Sequence, residues 1–338
     1  MFKKSNLFLI RELLPLFLAG ILISGCGPAA TGDSDMGTEK QTWAEKLGFP
    51  SDKKVIIFHA DDMGMVGEAN EATFHLLENG HIQSAAAMAP CPAFKEAINW
   101  AIDNPRTDVG IHLTLTSEWR DYRWGPVADP AEVPGLTDPD GYMWRSVKEV
   151  VMNATPEEVE KELRAQIEKT LTIGYRPDHM DTHMGTLYGS NDFTEVYLRL
   201  AEEYRIPAMV IDFSDPVVAE QYKQAGYPVS DRLFTMLENY SLPKLDYFSS
   251  IPHGDSYEDM RENFFDQIRS LKPGLTEIIF HPQFESELVK TITGSWQQRA
   301  WEAELFADPV VKEFFEEEEL IFTNWIEIME RFERIKGS

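Results

Sequence analysis

Short apolar runs alternate with amphipathic stretches along most of the chain. Residues 54–60 (KVIIFHA) are rich in β-formers and end at two carboxylates, Asp61-Asp62. Residues 67–78 have helical spacing and stop at Asn79-Gly80. Residues 84–89 predict a second strand and 93–103 a second helix. Residues 109–115 (VGIHLTL) alternate and hold β-branched side chains, so they predict a third strand. Residues 117–146 mix Trp, Tyr, Arg, Pro and Gly without a clean period, which predicts a long binding loop. A strong helix is expected over 156–172, with Thr155 as N-cap and Glu158 at the capping-box position. Then follow a strand over 178–183, a helix over 192–204 and a strand over 208–212. A helix over 257–271 and a strand over 276–280 come next. The chain closes with a helix over 302–319 broken at Asp308-Pro309, a strand over 320–323 and a last helix. Strands alternating with helices predict an α/β fold with a parallel sheet covered on both faces. No internal repeat and no second composition appears, so the expectation is one irregular (β/α) barrel.

The N-terminus departs from this pattern. Lys3 and Lys4 precede an apolar run over 13–23, interrupted by Pro15, and then Ser24-Gly25-Cys26. A basic start, an apolar stretch and small residues at a cleavage point describe a secretory signal. Its ending resembles the bacterial lipobox, in which the cysteine carries the lipid and becomes the first mature residue. The expected organisation is a lipoprotein signal peptide over 1–25, a flexible tether over 26–42 and a catalytic domain over 43–338. A transmembrane anchor is the alternative, although that usually takes about 20 apolar residues. The expected location is the cell envelope of a bacterium, and Gly27 after Cys26 favours the outer membrane. With Cys26 lipidated, Cys91 is the remaining thiol and no intramolecular disulfide can form. Cys91 lies between two prolines and reads as a small buried hydrophobe.

Of the 338 residues 43% are hydrophobic and 26% charged, ordinary values for a globular protein. The balance of 31 Lys+Arg against 57 Asp+Glu gives a net charge of −26. Such a chain repels nucleic-acid phosphates and anionic membrane surfaces, so membrane attachment is expected through the lipid alone. A neutral small substrate is unaffected, and self-association stays open.

Chemistry-bearing residues gather at predicted strand ends. Asp61 and Asp62 follow the first strand, His112 lies in the third, and His281 follows Phe280. His179, Asp181 and His183 alternate, so an extended chain points all three to one face. An Asp-Asp pair alone reads equally as a turn or cap, and a lone strand histidine as a bonded core residue. Three polar groups stacked on one strand face are costly unless they meet a metal, water or one another. In parallel α/β barrels, separate strands contribute such groups to one edge of the sheet. His59 reads as a packed or capping residue, His75 and His81 as structural, and His253 as a loop residue able to reach the site.

The segments HADDMG (59–64), GIHLTLTSEW (110–119), RPDHMDTHMGTLY (176–188) and EIIFHPQ (277–283) resemble, in order, four motifs of the YdjC-like carbohydrate deacetylases. The resemblance runs from about residue 53 to 330. It implies an irregular, polysaccharide-deacetylase-like (β/α) barrel and hydrolysis of an acyl group, N-acetyl above all, from an amino sugar or oligosaccharide, as in the chitooligosaccharide deacetylase type. It implies Asp62, His112 and His183 as metal ligands, Asp61 as general base and His281 as proton donor. One divalent ion is implied: two imidazoles favour zinc, while the family is described with magnesium. His179 and Asp181 become candidates to support the ligands from behind. Met184, Gly185 and Thr186 follow His183 where many members carry further histidines, so the chitooligosaccharide preference does not carry over.

In the loop, Trp119 and Trp124 could stack on pyranose faces, and Arg120 and Arg123 could bond hydroxyls. The tryptophans could equally close the loop over the core. Two other readings stand beside the deacetylase. One is a metal-dependent amidase or esterase on another acylated small molecule; the other is a glycan-binding lipoprotein without catalysis, for which an acid–base pair would be superfluous.

Overall fold

The computed structural model describes residues 41–337. Cys26, the signal peptide and nearly all of the tether expected above lie outside the described residues. Seven strands form one parallel sheet: β1 (Lys54–Met63), β2 (Ser84–Ala87), β3 (Asp108–Leu113), β4 (Met180–Thr182), β5 (Tyr247–Ser250), β6 (Gly274–Phe280) and β7 (Ile321–Phe322). Their order is β4-β3-β2-β1-β6-β5, with β7 also on β1. Two isolated parallel bridges, Met180↔Ala208 and Ile211↔Leu245, carry the ladder from β4 round to β5. The sheet thereby curls into a single irregular (β/α) barrel. The irregularity sits at β1, whose Val55 and Ile56 pair with β7 whereas His59 onward pairs with β2.

Alternation along β1 explains how one strand serves two environments. Phe58 points outward into an aromatic cluster with Phe264, Phe306, Phe315 and Phe322. These rings seal the sheet to the helices Tyr257–Ser270, Trp296–Ala307 and Pro309–Glu317. Its neighbour His59 points inward, along with Asp61. Across the pair, Ile57 registers with Glu277 and His59 with Ile279 on β6. The inside of this barrel is therefore lined in part by imidazoles and carboxylates, all buried.

The expected helix after Thr155 forms as Pro156–Ile173, with the Thr155/Glu158 capping box made in both directions and Gly174 in the left-handed conformation at its end. Several expectations needed correction. The strand expected over 178–183 is only Met180–Thr182, because His183 opens a turn in which Met184 (φ 54) and Gly185 (φ 62) are left-handed. The strand expected over 208–212 is reduced to the two bridges. Helices Val147–Asn153, Pro216–Gln224 and Asp231–Asn239, and strand β5, were not foreseen. No helix among the described residues is long and apolar enough to cross a membrane.

Candidate metal centre

β1 runs into Asp61 and Asp62 rather than stopping before them. Its register with β2 shifts between Ala60 and Met63, and Asp62 adopts φ 62. A bulge re-aims side chains, and a positive φ at a non-glycine residue is a strained conformation of the kind that collects at functional sites. The kink lets consecutive carboxylates serve two jobs. Asp62 turns toward β3 and β4, and Asp61 toward β6.

Asp62, His112 and His183 come together, with one donor atom from each lying within 4.8 Å of the others. Asp62 Oδ1 is 3.6 Å from His112 Nε2 and 3.2 Å from His183 Nδ1. The two imidazole nitrogens are 3.2 Å apart. All three residues are buried, and Asp62 Oδ1 has no hydrogen-bond partner. An orphaned carboxylate oxygen facing two ring nitrogens is the donor set a divalent ion takes, so the residues fit the group.

The far side of each ligand is held. His112 Nδ1 lies 2.7 Å from Asp181 Oδ1. His183 Nε2 lies 3.2 and 3.1 Å from the two carboxylate oxygens of Glu118. Arg299 Nη1 donates to Asp62 Oδ2 at 2.8 Å, which leaves Oδ1 as the free oxygen. Carboxylate–imidazole pairs of this kind fix ring orientation and tautomer at metal sites.

The field follows from these pairings. Burial alone would lower the His183 imidazole, but Glu118 and Asp62 raise it to about 10. His112 is raised likewise by Asp181 and Asp61 against its burial. Burial would raise Asp62, and Arg299 and His183 together hold it well below the usual carboxylate range. Asp181, buried between His112 and His59, is held low by those two imidazoles.

Asp61 Oδ2 stands 3.7 Å from His281 Nε2, and Asp61 Oδ1 is buried without a hydrogen bond. His281 follows β6 directly, and its backbone N–H donates to Glu302 at 2.7 Å. His59 proves to share the interior with Asp61: its Nε2 is 3.3 Å from Asp61 Oδ1 and 2.9 Å from Asp181 Oδ2. It is a member of the polar network and not a mere packing residue, because residues 59 and 61 share a strand face.

Of the two residues expected behind the ligands, Asp181 touches one, and His179 does not. His179 lies deeper, bonded to Asp108 at 2.8 Å and stacked on Trp325. Among the contacts of the described residues, none brings His253 to the cluster; its carbonyl accepts from Asn263.

The loop expectation also divides. Trp124 is 4% exposed, donating from Nε1 to Thr116 O at 2.9 Å. Arg123 bonds Asp138 at 3.0 Å and Met143 O at 2.5 Å. Both are spent on closing the loop and offer no free face. Trp119 is half-buried at the rim, its ring 6.5 Å from that of His183 and 5.8 Å from the Arg299 guanidinium. Glu118 and Arg299 were missed by sequence reasoning. Glu118 stood in the second motif beside Trp119, whereas nothing in helix Trp296–Ala307 marked Arg299. Cys91 is a buried free thiol raised well above its usual range by burial, as expected of an inert one.

Comparison with known proteins identifies relatives of the chain as a whole. Residues 55–317 match the model of the YdjC-like protein family. A carbohydrate deacetylase of Thermus thermophilus is 32% identical over 78% of this chain and 89% of its own length. One of Thermoanaerobacter pseudethanolicus is 25% identical over 80% of this chain and 98% of its own. A crystal structure from Enterococcus faecalis, described in terms of cellobiose-phosphate cleavage, superposes with a TM-score of 0.65 at 27% identity, covering 81% of this chain and 98% of that one. The chain belongs to the YdjC-like protein family.

Proposed function

We propose that this protein is a metal-dependent hydrolase that removes an acyl group, acetyl first among them, from the amine of an amino sugar or oligosaccharide. The observation that carries the reading is a carboxylate and an imidazole, Asp61 and His281, facing each other at 3.7 Å beside a buried Asp62/His112/His183 donor set. The relatives named as carbohydrate deacetylases support the substrate class. Two imidazoles among three ligands favour zinc over magnesium.

A divalent ion at Asp62, His112 and His183 would polarise the acyl carbonyl and acidify a water. Asp61, with Oδ1 free of hydrogen bonds, accepts the proton of the attacking water. His281, at the mouth of the site with 18% of its side chain exposed, hands a proton to the departing sugar amine. That transfer stops the tetrahedral adduct from reverting. The position of the half-buried Trp119 beside His183 supports a role in stacking on a pyranose ring, and the acidic site suits an ammonium product. The chitooligosaccharide type is the first substrate to test. We further propose attachment to the cell envelope through a lipid on Cys26.

The test is acetate release from a panel of N- and O-acetylated sugars, with and without chelator. Release that chelator abolishes and Asp61→Asn reduces by about 100-fold or more, with metal content unchanged, is the expected result. A metal-free protein inert on every sugar would overturn the enzyme reading. Full activity in Asp61→Asn would overturn the assigned base.

A further inference from the structure

Beneath the catalytic cluster the barrel holds a second set of donors. His59 and His179 both turn Nε2 toward the barrel interior, and with Asp181 they bring three donor atoms within 4.8 Å of one another. Each ring is held from behind through Nδ1, His59 by Ser84 Oγ at 2.9 Å and His179 by Asp108 Oδ1 at 2.8 Å. His112 is held in the same way through Nδ1 by Asp181, whereas His183 is held through Nε2 by Glu118. The indole of Trp325 stacks on His179 and donates to Glu277 Oε2 at 2.9 Å, tying Glu277 to the group.

Two atoms there lack partners. His179 Nε2 and Glu277 Oε1 are buried and make no hydrogen bond. The imidazole also lies where a side chain on Gly110 would fall, since a Cβ there would sit 2.3 Å from His179 Nε2. Glycine at 110 thus makes the room the ring occupies. Among the ion pairs of the described residues, none brings a lysine or arginine to Asp108, Asp181 or Glu277. Asp181 is instead flanked by His59 and His112, and Asp108 by His179 and the Trp325 N–H, so a divalent ion that replaces imidazole protons would neutralise the same carboxylates.

We propose that His59, His179 and Asp181 form a second, occluded metal site for a zinc-class divalent ion, with the fourth position left to a water. Tetrahedral zinc with bonds of about 2.0–2.2 Å puts its donors roughly 3.3 Å apart, so the 2.9 Å pair of His59 Nε2 and Asp181 Oδ2 opens slightly while His179 closes by no more than about 1.5 Å. Asp181 joins the two sites. Its Oδ1 holds His112 and its Oδ2 faces the interior position, so the inner ion stiffens the support of a catalytic ligand. The inner site is closed on every side, whereas the outer one opens past Glu118 and His281. The inner ion therefore enters during folding and leaves only on unfolding.

The test is metal content per chain, by elemental analysis, of protein produced in zinc-supplemented medium. Expected are two equivalents, of which prolonged dialysis against a chelator removes one and denaturation in chelator releases the other. His59→Gln and His179→Gln should hold one equivalent, all of it removed by dialysis. Cobalt substitution gives an independent reading: a tetrahedral visible spectrum that survives chelator. Wild-type protein left with no metal after dialysis of the folded state would overturn the proposal, with water bridging the donors instead. The acetate assay does not enter, so the two readings stand or fall separately.

Discussion

Glu118 is the single residue whose role depends most on what it holds. Its carboxylate meets the far nitrogen of His183, and that contact sets the ring's orientation toward Asp62. Glu118→Gln keeps the shape and removes the charge. Metal affinity measured by competition with a chromophoric chelator should fall about 10–100-fold, with fold and secondary structure unchanged. The same charge makes metal binding pH-dependent. In the metal-free protein Glu118 and Asp62, against burial, raise His183 to about 10 from an ordinary 6.5. Its raised value stabilises the metal-free fold fully below about 6.5, and that contribution is lost as pH rises through about 10. An entering ion must expel this proton, so apparent affinity should rise about tenfold per pH unit from neutrality until it levels near 10. An affinity flat over that range would show that His183 is already neutral.

Elements place these residues through their ends. β1 delivers Asp61 and Asp62 by a bulge, β3 carries His112 within its ladder, and β4 stops one residue before His183. Gly64, at φ 84, follows the bulge so closely that a Cβ would lie 3.1 Å from Phe94 Cα, which explains why the turn needs glycine. The helix Pro156–Ile173 braces the loop above the site: its Glu162 accepts from the N–H groups of Val127 and Ala128. Its start depends on the Thr155 cap. Thr155→Ala should cost about 1 kcal/mol in denaturant unfolding, with the affinity for metal unaltered. Element boundaries were legible where caps are local, as at Thr155. They were not legible at β4, because the left-handed turn after His183 is imposed by packing and Met184 carries no local signal for it.

At the scale of the whole molecule the barrel sets which face carries the candidate site, while the proposed lipid on Cys26 concerns where the molecule works. Cys26→Ala should move the protein from the membrane to the soluble fraction when cells are fractionated. Membrane association that survives the substitution would contradict the lipid anchor. The net charge of −26 disfavours a second, electrostatic attachment to anionic lipid, so the proposed anchor predicts full release in this variant.

The succession of most strands along the chain, their parallel sense and the residues at their ends were readable from the chain itself. Alternation and capping act over a few residues, and a strand end is a local event. Asp61, Asp62, His112, Asp181, His183 and His281 were found that way. What joins them was decided only in three dimensions. Arg299 reaches Asp62 across 237 positions of sequence, and His59 reaches Asp181 across 122. Whether Trp119 or Trp124 faces the site depended on which ring the loop buried. A polar pair at such separation has no periodicity to betray it; only the closure of the sheet brings its members within hydrogen-bonding range.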